Sequence, residues 1–225
     1  MGRGTAIHYG PRGYDDRSKR MVGLAAANAG FLRAYLDHAM PGPFHCRAAD
    51  EGIFSQFMAT FQTTRDCIHI PPHRARMLAE IGTLHVPGPA LALFVGRRLQ
   101  IDPRSYSLTG VTHAMASPRA LGAVRDLLAA PIFEWDALVC ASTSIRNLVI
   151  RIAETHADYL EERIVARPQL TIQLPKIPLG VDVSRLAEFT PEPEFRRSLG
   201  APEEAFIVLY LGRLSHHTKA HPFPF

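Results

Sequence analysis

Short apolar runs alternate with longer segments of helical period along most of the chain, and this alternation limits the possible folds more than any other feature. The clearest case is the apolar run WDALVCAS at 135–142, which is followed directly by an amphipathic segment at 143–164. Strands that alternate with helices are joined by crossover connections, which leave consecutive strands parallel in one sheet. The sequence therefore predicts an α/β domain with a mostly parallel sheet.

The predicted elements follow from apolar periodicity and from the residues that bound each run. The predicted strands are 5–9, 44–48, 67–70, 83–89, 106–117, 135–142 and 206–211. The predicted helices are 18–39, 117–130, 143–164 and a short one within 191–204, and 170–182 is expected to be extended and interrupted by prolines. Ser117 is expected to cap the helix at 117–130, with Pro118 at its first position.

Composition and charge exclude several function classes. The 225 residues are 47% hydrophobic and carry a formal charge of +4, with Arg and Lys spread along the chain. Nucleic-acid binders concentrate such charge in a patch, so no nucleic-acid partner is expected. There is no run of 18 apolar residues and no signal-peptide pattern at the start, so a cytoplasmic location is expected.

The cysteines and histidines do not form a recognisable metal site. Three cysteines are an odd number and are expected to be small buried residues in a reducing compartment. The eleven histidines include HIPPH and HH, which lack the i, i+4 helical spacing of zinc proteases and have no cysteine pair nearby. No metal is therefore expected.

Residues that follow the strands are the candidate site residues, because ligands bind beyond the carboxyl ends of parallel strands. His113 follows the strand within 106–117 and can donate a hydrogen bond or exchange a proton; a core histidine bonded to a backbone carbonyl is the alternative. Gly10 and Gly13 follow the first strand and could let backbone amides approach a substrate, although GPRG also fits an ordinary turn.

Three strand ends, in chain order, resemble the retaining glycosyltransferases of family 4. They are TGVTHAMAS (109–117), PLGVDVSRL (178–186) and VLYLGRLSHHTKAHPF (208–223), and GYDDRSKRMVGLAAANAGFLRAY (13–35) resembles a subset of bacterial members. The chain departs from the family pattern at several positions. Arg213 and Lys219 are six apart where many members have five, and Ala220 replaces a glycine. In the first loop, GPRGYDDRSKR (10–20) replaces the glycine pair and nearby arginine of many members.

The resemblance implies the two-domain GT-B architecture. Residues 1–182 would form the acceptor-side, Rossmann-like domain and 183–204 a linker with a short helix. Residues 205–225 would be a stub of a second Rossmann-like domain, comprising its first strand and phosphate loop. The rest of that domain, with its pair of acidic residues, is not present in the sequence, so the fragment alone is expected to be inactive.

The resemblance also implies the reaction and its residues. A sugar would pass from a nucleotide-sugar donor to an acceptor hydroxyl with retention, without a cofactor beyond that donor. His113 would be catalytic, and Gly212, Arg213 and Lys219 would hold the donor diphosphate. The acceptor would be a carbohydrate, a lipid or a small molecule, with peripheral membrane association as an option.

Two other interpretations stay open at this point. The chain could be a non-catalytic fragment that binds an acceptor or a partner without holding the donor tightly. It could also be a different Rossmann-like protein, such as a nucleotide-dependent reductase, although no G-x-G-x-x-G follows the first strand.

Overall fold

Six short strands pair into one sheet in which all neighbouring strands are parallel. The structure is a computed structural model that describes residues 4–14, 23–181, 183, 193–202 and 204–210. The strands are β1 (Ala6–His8), β2 (Phe44–Arg47), β3 (Cys67–His69), β4 (Thr83–Val86), β5 (Ser107–Val111) and β6 (Ala137–Val139). Their order is β3-β2-β1-β4-β5-β6. This order is that of a Rossmann-like fold, and the prediction of an α/β domain with a mostly parallel sheet is confirmed.

Helices connect and cover the strands. They are α1 (Pro11–Tyr14), α2 (Gly23–His38), α3 (Glu51–Phe61), α4 (Arg76–Ile81), α5 (Val95–Leu99), α6 (Pro118–Ala129), α7 (Thr143–Ile164) and α8 (Pro193–Ser198), with 3₁₀ turns at Pro72–Arg74 and Leu91–Phe94. The predicted cap of α6 is confirmed, since Ser117 Oγ accepts from the amide of Ala120 at 3.2 Å. In the described parts of the chain, no helix has the length and apolar character needed to cross a membrane.

Side chains of alternate residues lie on opposite faces of the sheet, and each face has its own core. On one face, here called the α2 face, Ile7 of β1 and Cys46 of β2 pack with Leu32 of α2 and Phe57 of α3. On the other, the α6 face, a larger core joins the inner residues of β4, β5 and β6 to α6 and α7; its members include Leu84, Leu108, Leu138, Val124, Leu127 and Val149. Towards β5 and β6 the α2 face is covered less completely, since residues such as Thr109 and Val111 stay partly exposed.

A buried ion pair fixes α5 to the amino ends of β5 and β6. Arg98 of α5 and Asp136, which directly precedes β6, are both fully buried. The carboxylate of Asp136 also accepts from the amide of Leu108 in β5 at 2.7 Å. One polar pair therefore connects three elements at the edge opposite the carboxyl ends.

The predicted strand at 206–211 is wrong over the residues that the structure describes. The chain divides into two compact units after Gly180, and residues 205–210 of the second have no regular secondary structure. The side chains of Phe206 and Val208 are 93% and 81% exposed. A strand needs hydrogen bonds from a neighbouring strand, and no described strand pairs with 206–210.

Candidate functional site

The carboxyl ends of β1, β4 and β5 meet where the direction of winding reverses, between β1 and β4. Ligands of doubly wound sheets bind in the crevice outside this point. Tyr9 to Gly13 follow β1, Pro87 and Gly88 follow β4, and Thr112 and His113 follow β5. Of the residues predicted from the sequence, His113, Gly10 and Gly13 therefore lie at the same edge of the sheet.

The segment after β1 is a single helical turn, α1. The amide of Gly13 donates to the carbonyl of Gly10 at 2.9 Å. The phenol of Tyr14 donates to the carbonyl of His8 at 3.0 Å. Because the Gly13 amide is already bonded within the turn, this segment does not offer it to a ligand. The expected ordinary turn is here a short helix that begins at Pro11, whose fixed φ suits the first helical position.

Asn28 of α2 joins the loops on the two sides of the winding reversal. Its Nδ2 donates to the carbonyl of Gly13 at 3.0 Å and to that of Pro87 at 3.4 Å. The side chain is almost completely buried. A buried amide that satisfies two loop carbonyls fixes the spacing between those loops, so the crevice has a defined width at this point.

Thr112 determines where His113 lies. The Thr112 amide donates to the carbonyl of Val139 in β6 at 2.9 Å, and its hydroxyl donates to the same oxygen at 3.1 Å. The hydroxyl in turn accepts from the amide of Ala141 at 3.2 Å. Thr112 is fully buried and bonded on both sides, so the backbone that carries His113 is held against β6.

A second histidine, His85, lies on the α2 face, close enough to His113 for the two to interact electrostatically. His85 stands beside Thr109 in the β4–β5 register, and its Nδ1 is 3.0 Å from Thr109 Oγ1, in a hydrogen bond. Burial lowers the pKa of His85 to about 4, and the proximity of His113 contributes in the same direction. Burial also lowers the pKa of His113. Both imidazoles are therefore neutral at pH 7, so each has one donor and one acceptor nitrogen.

One buried nitrogen of His113 is a further feature of this region. His113 Nε2 is buried, and no group in the described part of the chain forms a hydrogen bond with it. The ring of Phe31, which is 44% exposed, lies 5.0 Å from the ring of His85. A polar group left unsatisfied in a folded protein is a candidate for a functional role, and the exposed aromatic ring beside His85 adds apolar contact area for a ligand.

His8, the last residue of β1, lies on the opposite face. Burial lowers its pKa to about 4, and the positive charge of Arg47 also lowers it. A hydrogen bond with the backbone of Arg47 acts in the opposite direction. Its ring packs edge-on against Phe94 at 4.8 Å, and its Nδ1 has no partner among the described residues. His8 and His85 are therefore separated by the sheet and do not form one site.

The predicted residues Gly212, Arg213 and Lys219 lie outside the described part of the chain, so the diphosphate site stays a prediction. His85 is a site residue that the rule of examining strand ends misses, because it lies inside β4. The alternation in TLHV, with the polar His85 between Leu84 and Val86, is the sequence feature that could have identified it. In the described ranges, no three His, Cys, Asp or Glu residues are grouped so that they could hold a metal ion.

Comparison of the sequence with known protein families and with curated proteins finds no match in either set.

Proposed function

We propose that the chain is the acceptor-side domain of a retaining glycosyltransferase that uses a nucleotide-sugar donor. The observation that carries the proposal is the position of His113, directly after β5, at the edge where ligands of such sheets bind. Burial lowers the pKa of this imidazole, which favours its neutral form at pH 7. The resemblance of 109–117, 178–186 and 208–223 to glycosyltransferase family 4 supports the choice of reaction. A parallel sheet in the order β3-β2-β1-β4-β5-β6 is consistent with it.

His113 would act by hydrogen bonding to the reacting sugar. A neutral imidazole can donate to a sugar hydroxyl or to charge that develops at the reacting centre. Burial keeps the ring neutral, so it does not repel the positive charge of an oxocarbenium-like state. Thr112 holds the backbone at this position, so the ring needs little reordering when substrate arrives.

Arg213 and Lys219 would neutralise the leaving diphosphate, and Gly212 would help to hold it. Arginine offers two parallel N–H donors to phosphate oxygens and lysine a compact charge. Stabilising the charge that develops on a leaving group is commonly the largest contribution to such catalysis. No metal is part of the proposal.

A fragment that binds an acceptor or partner without catalysis is the second candidate. The observation that favours it is the conformation of 206–210, which forms no strand although the resemblance assigns it to the first strand of the donor-binding domain. Without that strand, the described residues do not build a donor site.

Release of nucleoside diphosphate from a panel of UDP-, GDP- and ADP-sugars tests the proposal. Because the chain alone is expected to be inactive, release is measured with this domain joined to a donor-binding domain. His113→Ala should then lower the rate by about 100-fold or more, the usual contribution of a positioned acid or base. His38→Ala is the matched control, since His38 is exposed at the end of α2.

Binding is followed in parallel by the imidazole NMR signals of His113 during titration with sugars. Sugar-dependent shifts without any release would support the binding-only candidate. If no donor is turned over and no sugar moves these signals, both candidates are wrong.

A further inference from the structure

A cleft of about 480 Å³ lies between the 3₁₀ turn Pro72–Arg74, the start of α4 and the end of α5. Its polar lining is predominantly cationic, and we call it the basic cleft. The side chains that carry charge or can carry it are His73, Arg74, Arg76, Arg97 and one carboxylate, Glu80. Three permanent positive charges therefore face one negative charge in a concave site.

The arginines of the basic cleft are not neutralised by the protein around them. Within the described part of the chain, Arg74, Arg76 and Arg97 form no ion pair with a carboxylate. Arg97 Nη1 donates to the neutral amide oxygen of Gln100 at 3.2 Å, which orients the guanidinium without cancelling its charge. Each guanidinium consequently has N–H donors available to a ligand.

A fourth arginine lies close enough to Arg97 to interact with it electrostatically. This residue is Arg47, which is partly buried at the end of β2. Burial lowers the pKa of Arg47, Tyr106 acts in the opposite direction, and the positive charge of Arg97 lowers the pKa again. Like charges held close together destabilise each other, and an anion between or beside them would offset that repulsion.

The shape and the chemistry of the lining indicate the ligand. The volume lies within the range of small-molecule sites, and partly buried Met77 and Ile101 supply apolar surface beside the cations. Guanidinium groups bind phosphate oxygens through paired N–H donors, and several together favour a ligand with several phosphates. We propose that the basic cleft binds a small soluble anion that carries at least two phosphate groups.

The proposal is independent of sugar transfer. The basic cleft is lined by residues 72–80 and 97–101, whereas His113 follows β5 at the carboxyl edge. Loss of activity in His113→Ala would therefore say nothing about the basic cleft, and loss of anion binding would say nothing about His113.

Isothermal titration of the whole chain with inorganic triphosphate tests the proposal. Arg76→Gln and Arg97→Gln should each weaken binding by about tenfold or more, as expected for loss of a charge-assisted contact. Arg151→Gln is the matched control: it removes the same charge from an exposed position on α7 and should change the affinity less than twofold. Binding should also weaken as sodium chloride is added. Because the replaced side chains are exposed, far-UV circular dichroism should show every variant folded.

Three results would overturn the proposal. One is the absence of heat with triphosphate at millimolar concentration. Another is an equal loss in Arg151→Gln, which would mean attraction to the overall charge. The third is binding to phosphatidylglycerol vesicles, lost in Arg76→Gln and Arg97→Gln, without binding of triphosphate, which would identify lipid headgroups as the phosphate source instead of a soluble anion.

Discussion

Replacing Asp136 by asparagine should destabilise the folded chain by about 3–5 kcal/mol, because it leaves Arg98 charged, buried and without a counter-ion. Both side chains have no exposed surface. The guanidinium and the carboxylate meet through two bonds, Nη1 to Oδ1 at 2.5 Å and Nη2 to Oδ2 at 2.8 Å. Arg98 also donates to the carbonyls of Tyr106 at 3.2 Å and Pro131 at 2.9 Å, so it cannot leave without breaking those bonds.

Counting the hydrogen-bond donors that lose their acceptor gives a similar loss of stability. The Asp136 carboxylate also accepts from the amides of Leu108 at 2.7 Å and Phe133 at 3.0 Å, which makes two donors for each oxygen. Asparagine keeps one of these oxygens and places an NH₂ group at the other, so two of the four donors lose their acceptor. A buried unpaired donor costs about 1–3 kcal/mol, against a total stability of about 5–15 kcal/mol for a typical domain.

Urea unfolding measures the loss directly. Trp135, the one tryptophan in the sequence, stacks on Phe133 with ring centroids 4.6 Å apart and precedes Asp136 in the chain, so its fluorescence reports on this region. Far-UV circular dichroism follows the whole fold, and coincident transitions would justify a two-state analysis.

The control is Asp158→Asn, which removes one partner of the exposed ion pair with Arg167. It should leave the unfolding midpoint almost unchanged, because exposed pairs contribute little. Arg98→Met combined with Asp136→Leu should cost less than the sum of the two single changes, because neither charge is then left buried alone. A loss of less than about 1 kcal/mol in Asp136→Asn, which is typical of an exposed pair, would refute the reasoning.

Two further perturbations test close packing and buried histidines. A methyl group on Gly110 would lie 2.5 Å from the carbonyl oxygen of Gly88, so Gly110→Ala should lower the free energy of unfolding by about 1–3 kcal/mol. A methyl group on Gly122 of α6 would meet Arg125 Nη2 at an ordinary contact distance of 3.6 Å, so Gly122→Ala should raise the free energy of unfolding instead. The close-approach argument fails unless the urea midpoints of the two variants move in opposite directions. Burial lowers the pKa of His8 and His85 from 6.5 to about 4 in the folded state, so the unfolded chain takes up protons first as the pH falls. Stability should therefore decrease from pH 6.5 towards 4, by at most about 1.4 kcal/mol per pH unit for each histidine. His85→Gln should reduce this slope, and an unchanged slope would contradict the assignment.

Helix ends could be predicted because they depend on neighbours in the sequence. The helix expected at 143–164 is α7, and its cap is Ser142, whose Oγ accepts from the amide of Ile145 at 3.2 Å. The approximate strand positions could be predicted for a related reason. A short apolar run between turn residues is typical of a buried strand in a parallel sheet.

Helix α3 was not predicted, although its sequence carries the necessary features. Asp50 accepts from the amide of Ile53 at 2.8 Å, as an N-cap does. Phe54, Phe57 and Phe61 follow at spacings of three and four, which place them on one side of a helix. The expected strand at 206–211 failed for the opposite reason: its apolar residues suit a strand, but pairing depends on a partner that the local pattern does not reveal.

Contacts between distant residues could not be predicted from local pattern. Arg98 and Asp136 are 38 positions apart, and no sequence feature near either residue indicates that the two interact. The candidate site likewise has one part that could be predicted from the sequence and one that could not. His113 could be placed after a strand from the sequence, whereas its neighbour His85 becomes visible only when the β4–β5 register sets His85 beside Thr109.

The carboxyl edge of the sheet combines a fixed backbone with a buried polar atom that makes no hydrogen bond. This combination suits a binding site. Asn28 fixes the loops after β1 and β4, and Thr112 fixes the backbone before His113. The Nε2 of His113, by contrast, has no partner among the described residues. A buried polar atom that makes no hydrogen bond lowers stability, and a ligand that bonds to it recovers part of that loss. The bonds of Thr112 hold the adjacent backbone while His113 Nε2 has no partner among the described residues, so a small adjustment that brings a ligand to this nitrogen would gain a hydrogen bond with little loss of conformational freedom.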